Sequence, residues 1–367
     1  MTISRLRRRA ALTAVLGALV AADSCPPALE AQATGDLEAR LVRLDASLEI
    51  LRRGYAIPGL SAAVVQNQRV VWEKGYGFDD AERGRPATPD TPYRIASLTK
   101  TFTSVLLLQC VEEATLDLED PIRKYGSDIP EAEATVLDVL THTSEQTPGL
   151  VFRYSGDRYA ALTPVVEACT GQPYRVALAR RILDPLAMRD SVPGQDLENP
   201  SPALRALFEG ATLERYRAVL TRLAIPYSRA NPFQVERSEY PPTGINASAG
   251  LVATVRDLAN YDSALDHHLL LAEETQEAAW TPAVSGGGGT LPYGLGWFVQ
   301  QYRGERVVWH FGDWPGSFSS LIVKVPGRNL TLILLANSDG LSEPFPLARG
   351  DVTASTFAAL FLRLFLQ

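Results

Sequence analysis

The sequence predicts an α/β fold in which an antiparallel sheet is flanked by N- and C-terminal helices and interrupted by a mostly helical insertion. Strand-like runs occur early, at Leu60–Gln66 and Arg69–Gly77, and return only late in the chain, at 294–303, 305–311, 317–325 and 329–336. The residues between them follow mostly helical periodicity, broken by Pro and Gly. Because the strands lie at both ends of the chain, we expect them to meet in one sheet.

A chain of 367 residues exceeds what one compact core usually holds, so we expect two lobes. Residues 37–98 and 290–367 would form the sheet lobe, and residues 99–289 the helical lobe. The sheet lobe would include a helix over 37–53 and an apolar, amphipathic helix over Val352–Leu366 that packs on the sheet.

Residues 1–33 have the form of a signal peptide. Four arginines precede an apolar run from Ala10 to Ala22, and Ala31-Gln-Ala33 is a small-residue cleavage site. The run is too short to span a bilayer. We therefore expect an exported protein, periplasmic or extracellular, with no membrane span after cleavage. A buried helix, an uncleaved anchor and lipid attachment at Cys25 are the alternatives.

Charge and cysteine content exclude several classes of function. Removal of the predicted signal, with four basic and two acidic residues, would change the formal charge from −7 to −9, which does not suit nucleic-acid binding. Cys110 and Cys169 lie in apolar helical patterns, so we expect buried free thiols and no disulfide. No spacing typical of zinc occurs, and Gly286–Gly289 predicts a flexible loop and not a phosphate-binding loop.

Ser97 and Lys100 form the pair that carries the chemical prediction. The chain contains four lysines, and only this one follows a serine by three positions. On a helix, such side chains share one face about 5–6 Å apart, so the amine can reach the hydroxyl. Lys100 could act as a base only if desolvation or positive charge lowered its pKa. The alternative is an exposed helix start, capped by Ser97 or Thr99.

This pair lies in the first of eight segments that occur in a defined order. They are Thr91–Ser104, Leu118–Tyr125, Leu140–Ser144, Tyr154–Ser155, Asp184–Met188, Ala249–Asp257, Tyr293–Trp297 and His310–Gly312. Together they resemble the serine β-lactamase and penicillin-binding-protein family, most closely its class C and esterase branch. The likeness runs from about residue 40 to the C-terminus.

The resemblance implies that Ser97 is acylated while Lys100 and Tyr154 manage protons. Tyr154 could act as a base only if the positive field of Lys100 held a phenolate, and a packed aromatic at a loop end is the alternative. The backbone N–H groups of Ser97 and Asp313 would hold the oxyanion. No metal and no cofactor would be needed.

His310-Phe311-Gly312 resembles the His-x-Gly of esterase and peptidase relatives, in place of Lys-Thr-Gly. His310 would lie across the cleft from Ser97, where it could bind a carboxylate or shuttle a proton near neutral pH, and Gly312 belongs to the same substrate-binding segment. A structural histidine is the alternative. Asp313 is unexpected beside this motif, and its charge would discourage substrates that carry a carboxylate.

Two further departures weaken the match to enzymes that bind β-lactams. Gly156 stands where the family has an asparagine, with Asp157 as a substitute if the turn is shifted. Glu145 replaces a glycine after His142, which we interpret as a structural residue that supports the cleft.

The sequence therefore predicts a serine hydrolase that forms an acyl-serine intermediate on an ester, amide or D-amino-acid peptide. Its partners would be small-molecule or peptide substrates. A true class C β-lactamase or D,D-peptidase is the alternative within this class. A non-catalytic relative that binds cell-wall fragments or a partner is the alternative from another class.

Overall fold

The computed structural model describes residues 27–231 and 234–366. The chain divides into two compact units, residues 1–42 and residues 43–367. The described part of the first unit is helical and contains an ion pair of 2.5 Å between Arg40 Nη2 and Asp36 Oδ2. Residues 1–26 of the predicted signal peptide, including Cys25, lie outside the described residues.

The helices are α1 (Pro27–Gly54), α2 (Thr99–Glu112), α3 (Val136–Leu140), α4 (Gly156–Ala160), α5 (Thr163–Thr170), α6 (Tyr174–Leu178), α7 (Pro202–Arg205), α8 (Gly210–Leu220), α9 (Val255–Asp266), α10 (Glu273–Ala279) and α11 (Thr356–Phe365). The strands are β1 (Gly59–Gln66), β2 (Arg69–Asp80), β3 (Arg85–Pro86), β4 (Tyr93–Arg94), β5 (Val192–Pro193), β6 (Tyr227–Asn231), β7 (Gln234–Arg237), β8 (Leu251–Ala253), β9 (Phe298–Tyr302), β10 (Glu305–Trp314), β11 (Phe318–Val325) and β12 (Leu330–Ala336).

The main sheet of the described chain has seven strands in the order β3-β2-β1-β12-β11-β10-β9, and its neighbouring strands pair antiparallel. Strands from the two ends of the chain meet where β1 pairs with β12, with Ala62 opposite Leu334. This pairing confirms the predicted fold class, in which the early and late strands form one sheet. The helices α2 to α10 come from the chain between them.

Helix α2 is buried on all sides. Every residue from Thr99 to Leu108 is buried, and Phe102 stacks on Tyr261 of α9 with ring centroids 3.9 Å apart. A helix that is buried around its whole circumference lies in the core of a protein. Lys100 lies in the first turn of this helix, so the fold itself removes its amine from water.

The long strands match their predicted positions to within a few residues, because period-two patterns and turn residues mark them. The predicted C-terminal helix is α11, preceded by a 3₁₀ turn at Val352–Ala354. Two small sheets were not predicted: the three strands β4, β8 and β5, and the hairpin of β6 and β7. Within the described ranges, no helix combines the length and the hydropathy needed to cross a bilayer.

The expectation of free thiols is wrong for this structure, because Cys110 and Cys169 form a disulfide. Cys110 lies near the end of α2 and Cys169 near the end of α5, and their Cα atoms are 6.0 Å apart. Each cysteine fits an apolar helical pattern, as expected. The pairing arises from the packing of α5 against α2, which the spacing of two distant cysteines does not reveal.

We predict that reduction of this disulfide lowers the free energy of unfolding by about 4 kcal/mol, from the chain entropy of a loop of this length. The loop closes over 59 residues. Urea unfolding with and without reductant measures the change. The Cys110→Ser/Cys169→Ser double variant is the control, because its unfolding midpoint should not respond to reductant. Peptide mapping that finds both thiols free in the untreated protein would contradict the pairing.

Candidate active site

Ser97 lies in a 3₁₀ turn, Ala96–Leu98, directly before α2. The preceding residue, Ala96, has φ +48, a left-handed conformation that costs free energy in a residue other than glycine. Three hydrogen bonds hold the turn: Ile95 N–H to Leu251 O, and the hydroxyls of Ser320 and Thr99 to the carbonyls of Ile95 and Ala96. Ser97 itself is partly exposed, while its neighbours are buried.

Lys100 Nζ lies 2.7 Å from Ser97 Oγ, as the spacing of three residues predicts. Its second partner is the carbonyl oxygen of Ser248, at 3.2 Å. The side chain is 0 % exposed, and burial lowers the pKa of Lys100 to about 7, against the opposing effect of the Asp157 carboxylate. A substantial fraction of the amine is therefore neutral near pH 7 and able to accept a proton.

Tyr154 packs beside this pair, with Lys100 Nζ 5.1 Å from the centroid of its ring. Burial raises the pKa of Tyr154 above its usual value, the nearby Ser97 side chain acts in the opposite direction, and the Asp313 carboxylate adds to the rise. In the described part of the chain, the phenol oxygen has no hydrogen-bond partner. These surroundings favour a protonated phenol and do not support the expected phenolate.

His142 holds the backbone on both sides of Tyr154. Its carbonyl oxygen accepts a hydrogen bond from Arg153 N–H at 2.8 Å, and its Nδ1 accepts one from Ser155 N–H at 3.2 Å. The His142 ring packs against the rings of Tyr154 and Tyr293, at centroid distances of 4.5 and 4.9 Å. Burial, with Lys100 and His310 nearby, holds its pKa well below the usual value. The expected supporting role of His142 thus has a definite geometry.

His310 is fully buried on β10, and both of its ring nitrogens are engaged. Nδ1 lies 2.7 Å from the carbonyl oxygen of Phe311 and must donate to it, so Nε2 accepts from the Tyr293 hydroxyl at 3.0 Å. Burial and the proximity of Lys100 lower the pKa of His310 to about 3. This arrangement does not support the predicted proton shuttle or carboxylate ligand, and it fits the alternative of a structural histidine.

Gly312 lets β10 approach the turn that carries Ser97. A Cβ added there would lie 2.2 Å from Ile95 O, 2.3 Å from Ser320 Oγ and 3.1 Å from the Cβ of Ala96. No other residue fits this close approach without movement of the backbone. Asp313, the next residue, is opposite Ser319 in the register of β10 and β11. Burial, with Asp339 and Glu343 nearby, raises the pKa of Asp313 to about 7.

The sequence did not predict the residues that hold the Lys100 side chain in position. The Ser248 carbonyl contacts Nζ, and Asn246 Oδ1 shapes this turn by accepting from Ser248 N–H at 2.8 Å and Ala249 N–H at 3.2 Å. Tyr159 donates its hydroxyl to Lys100 O at 3.3 Å. The only signal in the sequence was the turn chemistry of Asn246 and Gly250, because a backbone ligand carries no residue type of its own.

Comparison with known proteins matches a family model described as Beta-lactamase over residues 37–354. The chain belongs to the beta-lactamase family. It is 21 % identical to penicillin-binding protein 4* of Bacillus subtilis strain 168, covering 75 % of this chain and 67 % of that protein. It is 25 % identical to protein flp of Staphylococcus aureus strain MW2, covering 78 % of this chain and 61 % of flp.

Solved structures of the same fold include the octameric penicillin-binding protein homologue from Pyrococcus abyssi. Its TM-score is 0.69 at 24 % identity, with 82 % of this chain and 74 % of that chain covered. The D-amino acid amidase from Ochrobactrum anthropi SV3, complexed with L-phenylalanine amide, gives a TM-score of 0.65 at 21 % identity. The match covers 87 % of this chain and 98 % of that chain. These likenesses confirm the fold of a beta-lactamase family member.

The departures from the family pattern have clear surroundings in this member. Gly156 opens α4, and a Cβ added there would meet no atom within 4 Å among the described residues. Asp157 is exposed on the first turn of the same helix. Glu145 lies 3.4 Å from Arg153 Nε, so the residue that replaces glycine supplies a second link to the segment that carries Tyr154.

We predict that loss of the Nδ1 acceptor of His142 slows turnover by displacing Tyr154. His142→Gly relieves the positive φ of +59 but lacks the acceptor, so kcat for ester hydrolysis should fall by about tenfold to a hundredfold with little change in KM. His142→Asn should keep kcat within about threefold, because Asn tolerates this φ and its Oδ1 replaces Nδ1. Equal kcat values for the two variants would contradict this positioning role.

Proposed function

We propose that this protein is a serine hydrolase that forms an acyl intermediate on Ser97 from an ester, an amide or a D-amino-acid peptide. The observation that carries the proposal is the contact of 2.7 Å between the Nζ of the buried Lys100 and the Oγ of the partly exposed Ser97. A hydroxyl becomes an effective nucleophile when a neighbouring base can take its proton. Membership of the beta-lactamase family supports activity of this type.

Lys100 is the proposed base for acylation. Its pKa of about 7 places a neutral amine next to the hydroxyl at working pH, and the proton moves from Ser97 Oγ to Lys100 Nζ as the new bond to the acyl carbon forms. The phenol of Tyr154, whose pKa is raised, then donates its proton to the leaving group and recovers one from Lys100. Water then attacks the acyl carbon, the same groups transfer its proton to Ser97 Oγ, and the acid is released.

The oxyanion would be held by the backbone N–H groups of Ser97 and Asp313. Gly312 lets β10 contact the turn at Ile95 and Ala96. Asp313, which follows Gly312, and Ser97, which follows Ala96, therefore lie on adjacent segments. Backbone donors fixed in this way stabilise the charge that develops on the carbonyl oxygen, and each lowers the barrier by roughly 3 kcal/mol.

Two observations favour an esterase, amidase or peptidase over a β-lactamase. Gly156 has no side chain with which to bind the amide of a β-lactam, and open space surrounds it. Both nitrogens of His310 are engaged within the protein, so they do not replace the lysine of the Lys-Thr-Gly motif as a ligand for a carboxylate.

We also propose that the protein acts outside the cytoplasm. The disulfide between Cys110 and Cys169 supports this location, because such bonds persist in oxidising compartments. The signal-peptide pattern of residues 1–33 points the same way.

The test is covalent labelling of Ser97 together with turnover of a short-chain nitrophenyl ester. A fluorophosphonate should form a bond to Ser97 Oγ with loss of fluoride, and peptide mass spectrometry should locate the adduct. We expect Ser97→Ala to lose the label and at least about a thousandfold in kcat/KM, and Lys100→Ala to lose nearly as much, because residues that act as a unit do not contribute additively.

Lys124→Ala is the matched control, since Lys124 is an exposed lysine paired with Asp120. It should label and turn over like the wild type. Hydrolysis that persists in Ser97→Ala, or labelling at another residue, would refute the mechanism. Absence of both label and turnover in the wild type would favour the non-catalytic relative. A lasting adduct with penicillin would instead indicate a penicillin-binding peptidase.

A further inference from the structure

Asp313 stands at the point where β10 touches the nucleophile turn. The residue before it, Gly312, has no room for a side chain because Ile95 and Ala96 lie against it. Asp313 is therefore the first residue past this contact that carries a side chain. If its N–H holds the oxyanion, its carboxylate is joined to that donor through its own Cα, Cβ and Cγ only. The carboxylate then lies within one side chain's length of the oxyanion, and so within reach of a group attached to the acyl carbon.

The Asp313 carboxylate has no charge partner of its own in the cluster around it. Among the described residues, its Oδ1 is buried without a hydrogen-bond partner. The charged groups that influence it most are two further carboxylates, Asp339 and Glu343. Arg229, the cation in this cluster, is committed to those two residues by ion pairs. A buried carboxylate oxygen without a partner is costly, and a bound cation would offset the cost.

A second arginine in the neighbourhood of Asp313, Arg94 of β4, does not fill this role either. Arg94 stacks on Trp314, with its guanidinium carbon 5.0 Å from the ring centroid. Its terminal nitrogens donate to the carbonyl oxygens of Pro241 and Pro242, at 2.8 and 2.7 Å. The cation that Asp313 lacks must therefore come from outside this set of side chains.

We propose that Asp313 selects acyl donors that carry an ammonium group on the carbon next to the scissile carbonyl, as in an aminoacyl ester, amide or peptide with a free amino group. This inference rests on the proposed function and narrows its substrate class. A carboxylate at the same position of the substrate would face Asp313, Asp339 and Glu343 together, and it would be rejected by like-charge repulsion.

The test uses two boronic acids of nearly equal shape, 1-aminoethylboronic acid and isopropylboronic acid. Each forms a bond between boron and Ser97 Oγ as the hydroxyl proton passes to Lys100, so each resembles the tetrahedral intermediate. Their inhibition constants are measured at pH 7.5 by competition with a neutral nitrophenyl ester. We expect the better enantiomer of the amine to bind wild-type protein at least about tenfold tighter than the isopropyl compound.

The variant Asp313→Asn should reduce this ratio of inhibition constants at least about tenfold, and the ratio cancels any general effect of the substitution on turnover. Glu343→Gln is the matched control, because it removes one charge from the same cluster at a residue whose side chain is 53 % exposed. Its ratio should stay within about twofold of the wild type.

A wild-type ratio below two overturns the inference without any variant, and so does an unchanged ratio in Asp313→Asn. Failure of the proposed serine hydrolase function would give a different result. In that case the neutral ester is not turned over in a Ser97-dependent manner, and neither boronic acid competes.

Discussion

The contact between Lys100 Nζ and Ser97 Oγ is the interaction on which the site depends, and it exists because α2 is a core helix. An amine on an amphipathic surface helix would remain hydrated and charged, and it could not accept a proton. Here every neighbour of Lys100 along the first turns of α2 is buried. The same packing that builds the core of the protein therefore adjusts the pKa of the base to about 7.

The surroundings of the amine limit the cost of burying it. Its nitrogen contacts the Ser248 carbonyl at 3.2 Å, and the rings of Tyr154 and Tyr159 lie with their centroids 5.1 and 5.4 Å away. A carbonyl and two aromatic faces stabilise an ammonium ion without a full countercharge. They permit both protonation states, whereas a buried carboxylate beside Lys100 would hold it charged.

A second layer of aromatic residues holds in place the groups that surround Lys100. His142 holds the backbone at Arg153 and Ser155, and Tyr293 packs against the His142 ring while it donates to His310. Both histidines are neutral because burial and the nearby lysine disfavour a second positive charge. They therefore serve as fixed hydrogen-bonding groups, and the groups of the site whose charge changes near neutral pH are Lys100 and Asp313.

The sequence alone was sufficient to predict the sheet and the contact between Ser97 and Lys100, because local rules govern both. Alternating apolar residues mark the strands, and the spacing of Ser97 and Lys100 places them on one face of a helix. The disulfide, the Ser248 carbonyl and the orientation of the His310 ring depend on contacts between distant segments. No local pattern encodes those contacts. The role expected of His310 came from its motif, and the motif could not show that Tyr293 occupies its outer nitrogen.

The most direct measurement is the pKa of Lys100 by NMR of protein labelled with ¹³C at the lysine side chain. The chain has only four lysines, so the spectrum is simple, and Lys100→Arg assigns the signal. The account predicts one resonance that titrates with a midpoint near 7 and is absent from Lys100→Arg. If no lysine signal titrates near pH 7, or if that signal persists in Lys100→Arg, then Lys100 is not the neutral base beside Ser97.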